Sequence, residues 1–249
     1  MCATSSAFSQ STVLDQSETH DNVVWGMQYY SDMQQDVKVG VDGTLAGFEI
    51  QILTTDVTVG LPVAIWDSAG PHVTSPLWSG IVYASQAGAR EWVYADCSAA
   101  AIQLIGGDVI TIRVGDGLTF TSVPFDLVGN SGWPNAYYAE PFYIDLNYRN
   151  TDRLTFKTYM DVPTPALTAT GTCGGSMTFN VANGTGNFWL IYGNAGQSTV
   201  FGIDLQIANP ALATTMGSSL TVNVPAGACG KTLQAVDMVY RIPSNPIVL

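Results

Sequence analysis

The sequence predicts an all-β protein built from two antiparallel β-sandwiches. Gly, Thr, Ser and Val are abundant while Lys and Glu are scarce, a mix that suits strands and tight turns better than helices. Short apolar runs alternate with turn-forming residues along the whole chain. No window carries a sustained i, i+3, i+4, i+7 apolar stripe. With 249 residues and 47% hydrophobic content, the chain can bury a sizeable core.

Charge divides the chain in two. Up to Asp161 there are 18 acids and 6 bases; from Val162 onward there are 2 acids, Asp204 and Asp237, and 2 bases, Lys231 and Arg241. The domains expected are a flexible N-terminal segment (1–11), a first sandwich (12–161), a Pro-rich linker (162–165) and a smaller second sandwich (166–249). A net charge of −12 repels phosphate backbones, so nucleic acid is excluded as a partner. No apolar run reaches the roughly 20 residues that a membrane-spanning helix needs.

In the first sandwich, Asp36-Val37-Lys38-Val39 is a strand leading to the Asp42-Gly43 turn. Leu45-Ala46-Gly47-Phe48-Glu49-Ile50-Gln51-Ile52-Leu53 then places Phe48, Ile50 and Ile52 on one face. Pro62-Val63-Ala64-Ile65-Trp66-Asp67 is a strand stopped by Ser68-Ala69-Gly70-Pro71. Strands follow at 77–84, 91–95, 101–104 and 108–114. In the last of these, Ile110, Ile112 and Val114 alternate with Thr111 and Arg113. Asp116-Gly117 turns the chain, and the alternating run 153–159 closes the unit. Val162-Pro163-Thr164-Pro165 reads as a stiff, unpaired linker because two prolines remove ladder donors. Beyond it, strands are expected at 176–181, 186–192, 200–207, 219–224 and 231–240. Their size and spacing fit a small immunoglobulin-like sandwich.

Four cysteines permit three full pairings. Cys173 with Cys229 is favoured because both lie in the charge-poor half. Closing that loop of about 57 residues contributes about 4 kcal/mol in the chain-entropy model. Cys2 with Cys97 is the weaker bridge; the alternative is that Cys97 is a small buried apolar residue. Met1–Ser6 lacks the basic start and apolar core of a signal peptide. Export therefore implies a signal already removed, and the alternative is a protein that is never exported.

The stretch from Thr12-Val13-Leu14-Asp15-Gln16 to Leu154-Thr155-Phe156-Lys157-Thr158-Tyr159 resembles a jelly-roll-like domain common in secreted bacterial proteins. Gly43-Thr44-Leu45-Ala46-Gly47-Phe48-Glu49-Ile50-Gln51-Ile52 and Leu104-Ile105-Gly106-Gly107-Asp108-Val109-Ile110-Thr111-Ile112-Arg113-Val114 carry the likeness. Such domains are similar in shape to carbohydrate-binding modules and often accompany enzymes or surface proteins without being catalytic. The second half resembles an extracellular module found at the ends of secreted bacterial proteins. There the matching residues are Gly171-Thr172-Cys173-Gly174-Gly175-Ser176-Met177-Thr178-Phe179, Val224-Pro225-Ala226-Gly227-Ala228-Cys229-Gly230-Lys231, Gln234-Ala235-Val236-Asp237 and Ser244-Asn245-Pro246-Ile247-Val248-Leu249. Relatives of that module often carry a further cysteine before the Ser-Asn step, where this chain has Ile242-Pro243. That departure favours Cys173–Cys229 as the remaining pair. The resemblances imply a jelly-roll-like sandwich, an Ig-like sandwich and an extracellular or cell-surface setting; they do not specify an activity.

No catalytic set stands out. Gly129-Asn130-Ser131-Gly132-Trp133-Pro134 resembles the glycine-flanked serine of chymotrypsin-like proteases, but Trp133 stands where that pattern has a second Gly. The chain has only His20 and His72 to act as a base, and neither sits in a recognisable base-bearing context. A turn between strands is the simpler reading of the motif, and a solvated loop residue the simpler reading of His20. A pair of carboxylates for glycoside hydrolysis is bound to occur by chance among so many acids, so its presence means little. Structural Ca2+ is the one cofactor considered, with Asp15, Asp21, Glu140 and Asp152 as candidate ligands. Asp108 and Asp116, each beside glycine, read as turn-formers.

Aromatic residues are the better clue. Trp25, Tyr29 and Tyr30 form one cluster, and Trp133, Tyr137, Tyr138, Phe142 and Tyr143 another. They either fill the core, anchor a subunit contact or stack on sugars. Asn183-Gly184-Thr185 matches a glycosylation acceptor.

Three functions are weighed. The favoured one is a non-catalytic extracellular structural protein, a homo-oligomer or polymer such as a filament or surface-layer subunit. The alternative is a carbohydrate-binding or adhesive module with a glycan as partner. A secreted hydrolase is third.

Overall fold

A computed structural model describes residues 10–73, 75–116, 124–132 and 140–249. It is an all-β sandwich protein that divides into two compact units, at Asp161/Val162.

In the first unit, β1 (Gln10–Glu18), β2 (Val23–Gly26), β3 (Asp32–Lys38), β4 (Gly43–Thr54), β5 (Leu61–Trp66), β6 (Trp78–Val82) and β7 (Arg90–Asp96) come first. There follow β8 (Gln103–Leu104), β9 (Val109–Gly115), β10 (Phe125–Ser131), β11 (Phe142–Ile144), β12 (Asn147–Arg149), β13 (Asp152–Leu154) and β14 (Phe156–Pro163). One sheet runs β1-β14-β4-β10-β13, with β2 on β10 and with β7 and β8 on β4. The other runs β12-β11-β3-β9-β5-β6. The pairings among β2 to β14 are antiparallel.

The alternation read from the sequence sets the core. Phe48, Ile50 and Ile52 of β4 are fully buried, as are Ile110, Ile112 and Val114 of β9. Gly129 is a glycine because the ring of Trp25, from the paired strand β2, occupies the space a Cβ would need. Cys97 is a free, fully buried thiol that fills core space. Cys2 itself lies outside the described residues. Burial raises the Cys97 thiol to about 12, which keeps it protonated and inert at neutral pH.

The second unit contains β15 (Ala166–Gly171), β16 (Ser176–Ala182), β17 (Phe188–Val200), β18 (Ile203–Met216), β19 (Ser219–Asn223), β20 (Thr232–Asp237) and β21 (Ile247–Val248). A three-stranded sheet, β15-β16-β19, and a four-stranded sheet, β18-β17-β20-β21, enclose Leu167, Phe179, Val181, Phe188, Leu190 and Leu233. The Cys173–Cys229 bridge is formed, and Cys173 packs against this core.

Two expectations are corrected. Residues 162–163 are not an unpaired linker: the strand β14 runs through Pro163, and only 164–165 separate it from β15. The separate strands expected at 186–192 and 200–207 are parts of one long hairpin, β17–β18. Its turn is Phe201-Gly202, inside the second of those windows. Gly193 and Gly196, which look like breakers in the sequence, lie instead at or beside bulges in the β17–β18 ladder, at 192/194 and 195/198. A Cβ at Gly193 would collide with Ile207 and the carbonyl of Ala208, so the bend needs glycine there. The bends let Ile203, Leu205 and Ile207 pack on Trp189, Ile191 and Val236, a second apolar cluster apart from the main core.

Candidate functional site

The most unusual chemistry in the first unit lies on the six-stranded sheet. On β3, Met33 and Val37 point into the core, while Asp32, Gln34 and Asp36 alternate onto the opposite face. Strand pairing sets Gln34 opposite Arg113, Asp36 opposite Thr111 and Asp32 opposite Gly115. On the far side of β9, Ala64 pairs with Arg113 and Trp66 with Thr111. This polar face is buried: Asp32, Gln34, Asp36 and Thr111 are each at most 1% exposed, and Arg113 is 6% exposed.

The connection after β5 folds back over it. Gly70 N–H donates to Asp36 Oδ1 (2.9 Å), and Thr111 Oγ1 donates to Asp36 Oδ1 (2.6 Å) and to the Ser68 carbonyl (2.7 Å). Gln34 and His72 exchange two bonds: His72 N–H to Gln34 Oε1 (2.7 Å) and Gln34 Nε2 to the His72 carbonyl (2.8 Å). The His72 ring stacks on Trp66 with centroids 5.2 Å apart and planes 7° from parallel, and Arg113 lies 5.7 Å from the Trp66 centroid.

The electrostatics are not closed. Asp32 Oδ2 accepts from Gln34 Nε2 (2.8 Å) and pairs with Arg113 Nε at 3.0 Å, an ion pair without hydrogen-bond alignment. Among the described residues, Asp32 Oδ1 and Asp36 Oδ2 are buried without a hydrogen-bond partner. Desolvation is the largest influence on both carboxyls and raises both above the usual range, against the lowering from their hydrogen bonds and from Arg113 beside Asp32 and His72 near Asp36. Beside this network, Pro62, Ala64, Trp66, Val73, Ile81 and Arg113 line part of an open groove of about 450 Å3. Val73 and Ile81 are exposed on its rim, and Ser79 and Gly80 leave its wall low. A groove with apolar walls and a cation at its floor suits a ligand with apolar faces and hydroxyl edges. Asp32 and Asp36 are four residues apart on one strand, so their Cα atoms stand about 13 Å apart.

Of the aromatic residues expected to make contacts, Tyr143 reaches this face. It pairs with Gln34 across β11–β3 and lies 6.0 Å from Tyr148. Trp25, half-buried, packs at 5.5 Å on Phe142, which is fully buried in the core. Tyr29 is exposed and Tyr30 half-buried near the 3-10 turn Met27–Tyr29. Trp133, Tyr137 and Tyr138 lie outside the described residues.

The candidate calcium ligands are spread over separate tasks. Asp15 Oδ1 accepts from the N–H groups of Gly40 and Val41 (both 2.9 Å) and so holds that turn. Asp21 pairs with Arg90 at 2.7 Å, Asp152 sits in β13 opposite Ser131, and Glu140 is half-buried. Among the described residues no group of three or more His, Cys, Asp or Glu side chains is placed to hold a metal ion. Ser131 is in strand β10, not in a turn, and its N–H donates to Asn22. His20 Nδ1 is 2.7 Å from Glu18 Oε1. Asn183 donates to the Thr164 carbonyl, while Thr185 N–H and Oγ1 both donate to Asp237. No helix among the described residues is long and apolar enough to cross a membrane.

Sequence reasoning did not find Asp32, Gln34, Trp66, His72 or Arg113 as a site. The available signal was the alternation of Thr111 and Arg113 with Ile110 and Ile112, which puts a cation on the non-core face of a central strand.

No family model matches the sequence, and no curated protein matches it. Among solved structures, the chain is similar to the glycoside hydrolase domain of Endo-D from Streptococcus pneumoniae R6. The identity is 11% and the TM-score 0.25, over 97% of this chain and 36% of that one. A likeness this low carries no inference about fold or activity.

Proposed function

We propose that this chain is a non-catalytic extracellular binding protein whose first unit holds a polyhydroxylated ligand, a glycan, in the groove beside Trp66 and Arg113. The observation that carries this reading is the meeting of an open groove with apolar walls and a buried cation–aromatic pair backed by Asp32. Sugar rings offer apolar C–H faces to such walls and hydroxyls to a guanidinium. The extracellular setting is supported by the Cys173–Cys229 bridge, since disulfides persist in oxidising compartments.

The test is a glycan array followed by calorimetry on the full chain and on Ser79→Trp. Ser79 is exposed on the groove wall, so a large side chain there fills the groove without disturbing the core. Saturable binding that weakens about tenfold or more in Ser79→Trp, at unchanged Tm, is the expected result. Absence of saturable glycan binding, or binding that Ser79→Trp leaves untouched, refutes the reading.

A further inference from the structure

The β17–β18 hairpin carries an aromatic residue that its own fold does not use. Phe201 is 89% exposed at the hairpin tip. It occupies the first position of a two-residue turn, with φ 51°, followed by Gly202 with φ 77°. A turn with both residues at positive φ ordinarily takes Asn, Asp or Gly at its first position. A phenylalanine there accepts backbone strain and gains no burial within the chain. Beside it, the bend of the hairpin encloses a pocket of about 310 Å3. Trp189, Ile191, Ile203, Leu205 and Leu212 line it, Phe201 borders it from the tip, and Leu212 is itself 60% exposed. Asp204 is the only charged residue between Phe188 and Met216, and Thr199 Oγ1 donates to its carboxylate (2.6 Å).

We propose that two copies of this chain pair through this hairpin, each Phe201 entering the pocket of the other. Anchor and pocket lie on one hairpin, so a single surface is complementary to itself, which is what a two-fold interface requires. The first unit holds the whole excess of acids and would repel its like, whereas the hairpin meets its copy almost without charge. A second copy therefore fits the surface better than a charged partner does. Two buried rings and their pocket walls give an interface of about 800 Å2, below the roughly 1,200–2,000 Å2 of stable complexes. The pairing is accordingly weak and reversible, and avidity would strengthen it where copies are held close together. It is independent of ligand binding in the first unit, and either can fail without the other.

Sedimentation equilibrium of the full chain, from roughly 5 to 500 µM, tests this. The expected wild-type behaviour is a monomer–dimer equilibrium with a dissociation constant on the order of 100 µM. Phe201→Asn suits the positive φ, so it should keep or raise Tm while weakening the dimer at least about tenfold. Should that variant misfold, Leu212→Arg, an exposed change at the pocket, should abolish pairing by the same criterion. A wild-type chain that stays monomeric throughout overturns the proposal. So does a dimer that survives both substitutions, or a monomer whose pocket binds a small apolar dye stoichiometrically.

Discussion

Asp237 in the second unit and Asp36 in the first are both completely buried aspartates, and they are treated in opposite ways. Asp237 accepts at both oxygens: Val239 and Tyr240 N–H at Oδ1 (both 2.9 Å), Thr185 N–H (2.6 Å) and Oγ1 (3.0 Å) at Oδ2. It ties the β16–β17 turn to the end of β20. Asp36 accepts two bonds on Oδ1 and leaves Oδ2 empty, and Asp32 close by leaves Oδ1 empty. A satisfied buried carboxylate is an architectural clamp. An incompletely satisfied one is a free-energy cost that the fold carries for some other reason. The second unit, with one such clamp and a covalent bridge, is arranged for stability. The first unit leaves several buried polar atoms unsatisfied, and two of its carboxylates, Asp32 and Asp36, lie in the network beside its groove.

The largest effect expected from this contrast is on the second unit. Replacing Cys173 and Cys229 together by alanine should cost about 4 kcal/mol, the chain-entropy value for a loop of this length. Hydrogen exchange localises it: amides of β16 and β20 should lose protection while those of β3 and β9 keep theirs. Equal loss in both units would break the contrast. A somewhat smaller effect belongs to the first unit. Arg113→Met leaves Asp32 buried beside an apolar side chain and should cost about 3 kcal/mol, at the low end for a broken buried pair because Gln34 still donates to Asp32. Removing the second charge as well, in Arg113→Met with Asp32→Leu, should return most of that loss. A double variant no more stable than Arg113→Met would show that the ion pair is not what the site depends on. Urea unfolding of wild type, Arg113→Met, Asp32→Leu and the double variant gives the coupling directly.

Much of the fold was legible because burial on one face writes period-two alternation into a strand. Phe48-Glu49-Ile50-Gln51-Ile52 and Ile110-Thr111-Ile112-Arg113-Val114 both declare their inner faces. The β17–β18 hairpin was hidden because Gly193 and Gly196 look like breakers when read singly, yet serve a bend that depends on Ile207 and Ala208 packing against them. Its turn, Phe201-Gly202, lacks the Asn-Gly or Asp-Gly signature. The polar site was hidden twice over. Ser31-Asp32-Met33-Gln34-Gln35-Asp36 has too few apolar residues to announce a strand, and Gln35 is buried as well, donating to the carbonyls of Asp36 and Pro141. Asp36, His72 and Thr111 meet only because β3 pairs with β9 and the connection after β5 returns over both. The aromatic clusters were visible, but exposure decides their roles, and composition does not record exposure.

The smallest effect separates the two kinds of carboxylate by pH. A raised carboxyl binds its proton more tightly in the folded state, so its contribution to stability is fully present below the unfolded value near 3.8. That contribution is lost as pH rises through the folded value; Asp32 and Asp36 are of this kind. Glu49 behaves oppositely. Burial acts to raise it, but hydrogen bonds from Lys157 and Tyr159 and the Lys157 charge outweigh that and hold it low. Its contribution is present above about 4.5 and lost as pH falls through its folded value. Acidifying from neutrality should therefore first stabilise the first unit, as Asp32 and Asp36 take up protons, and destabilise it only when the lowered carboxyls follow. Asp36→Asn isolates the first phase. The amide oxygen still accepts from Gly70 and Thr111, while the charge is gone. The variant should melt higher than wild type at pH 7 and close to it near the unfolded carboxyl value, where wild-type Asp36 is itself neutral. A Tm difference that stays constant across that range would mean that burial does not raise the Asp36 carboxyl.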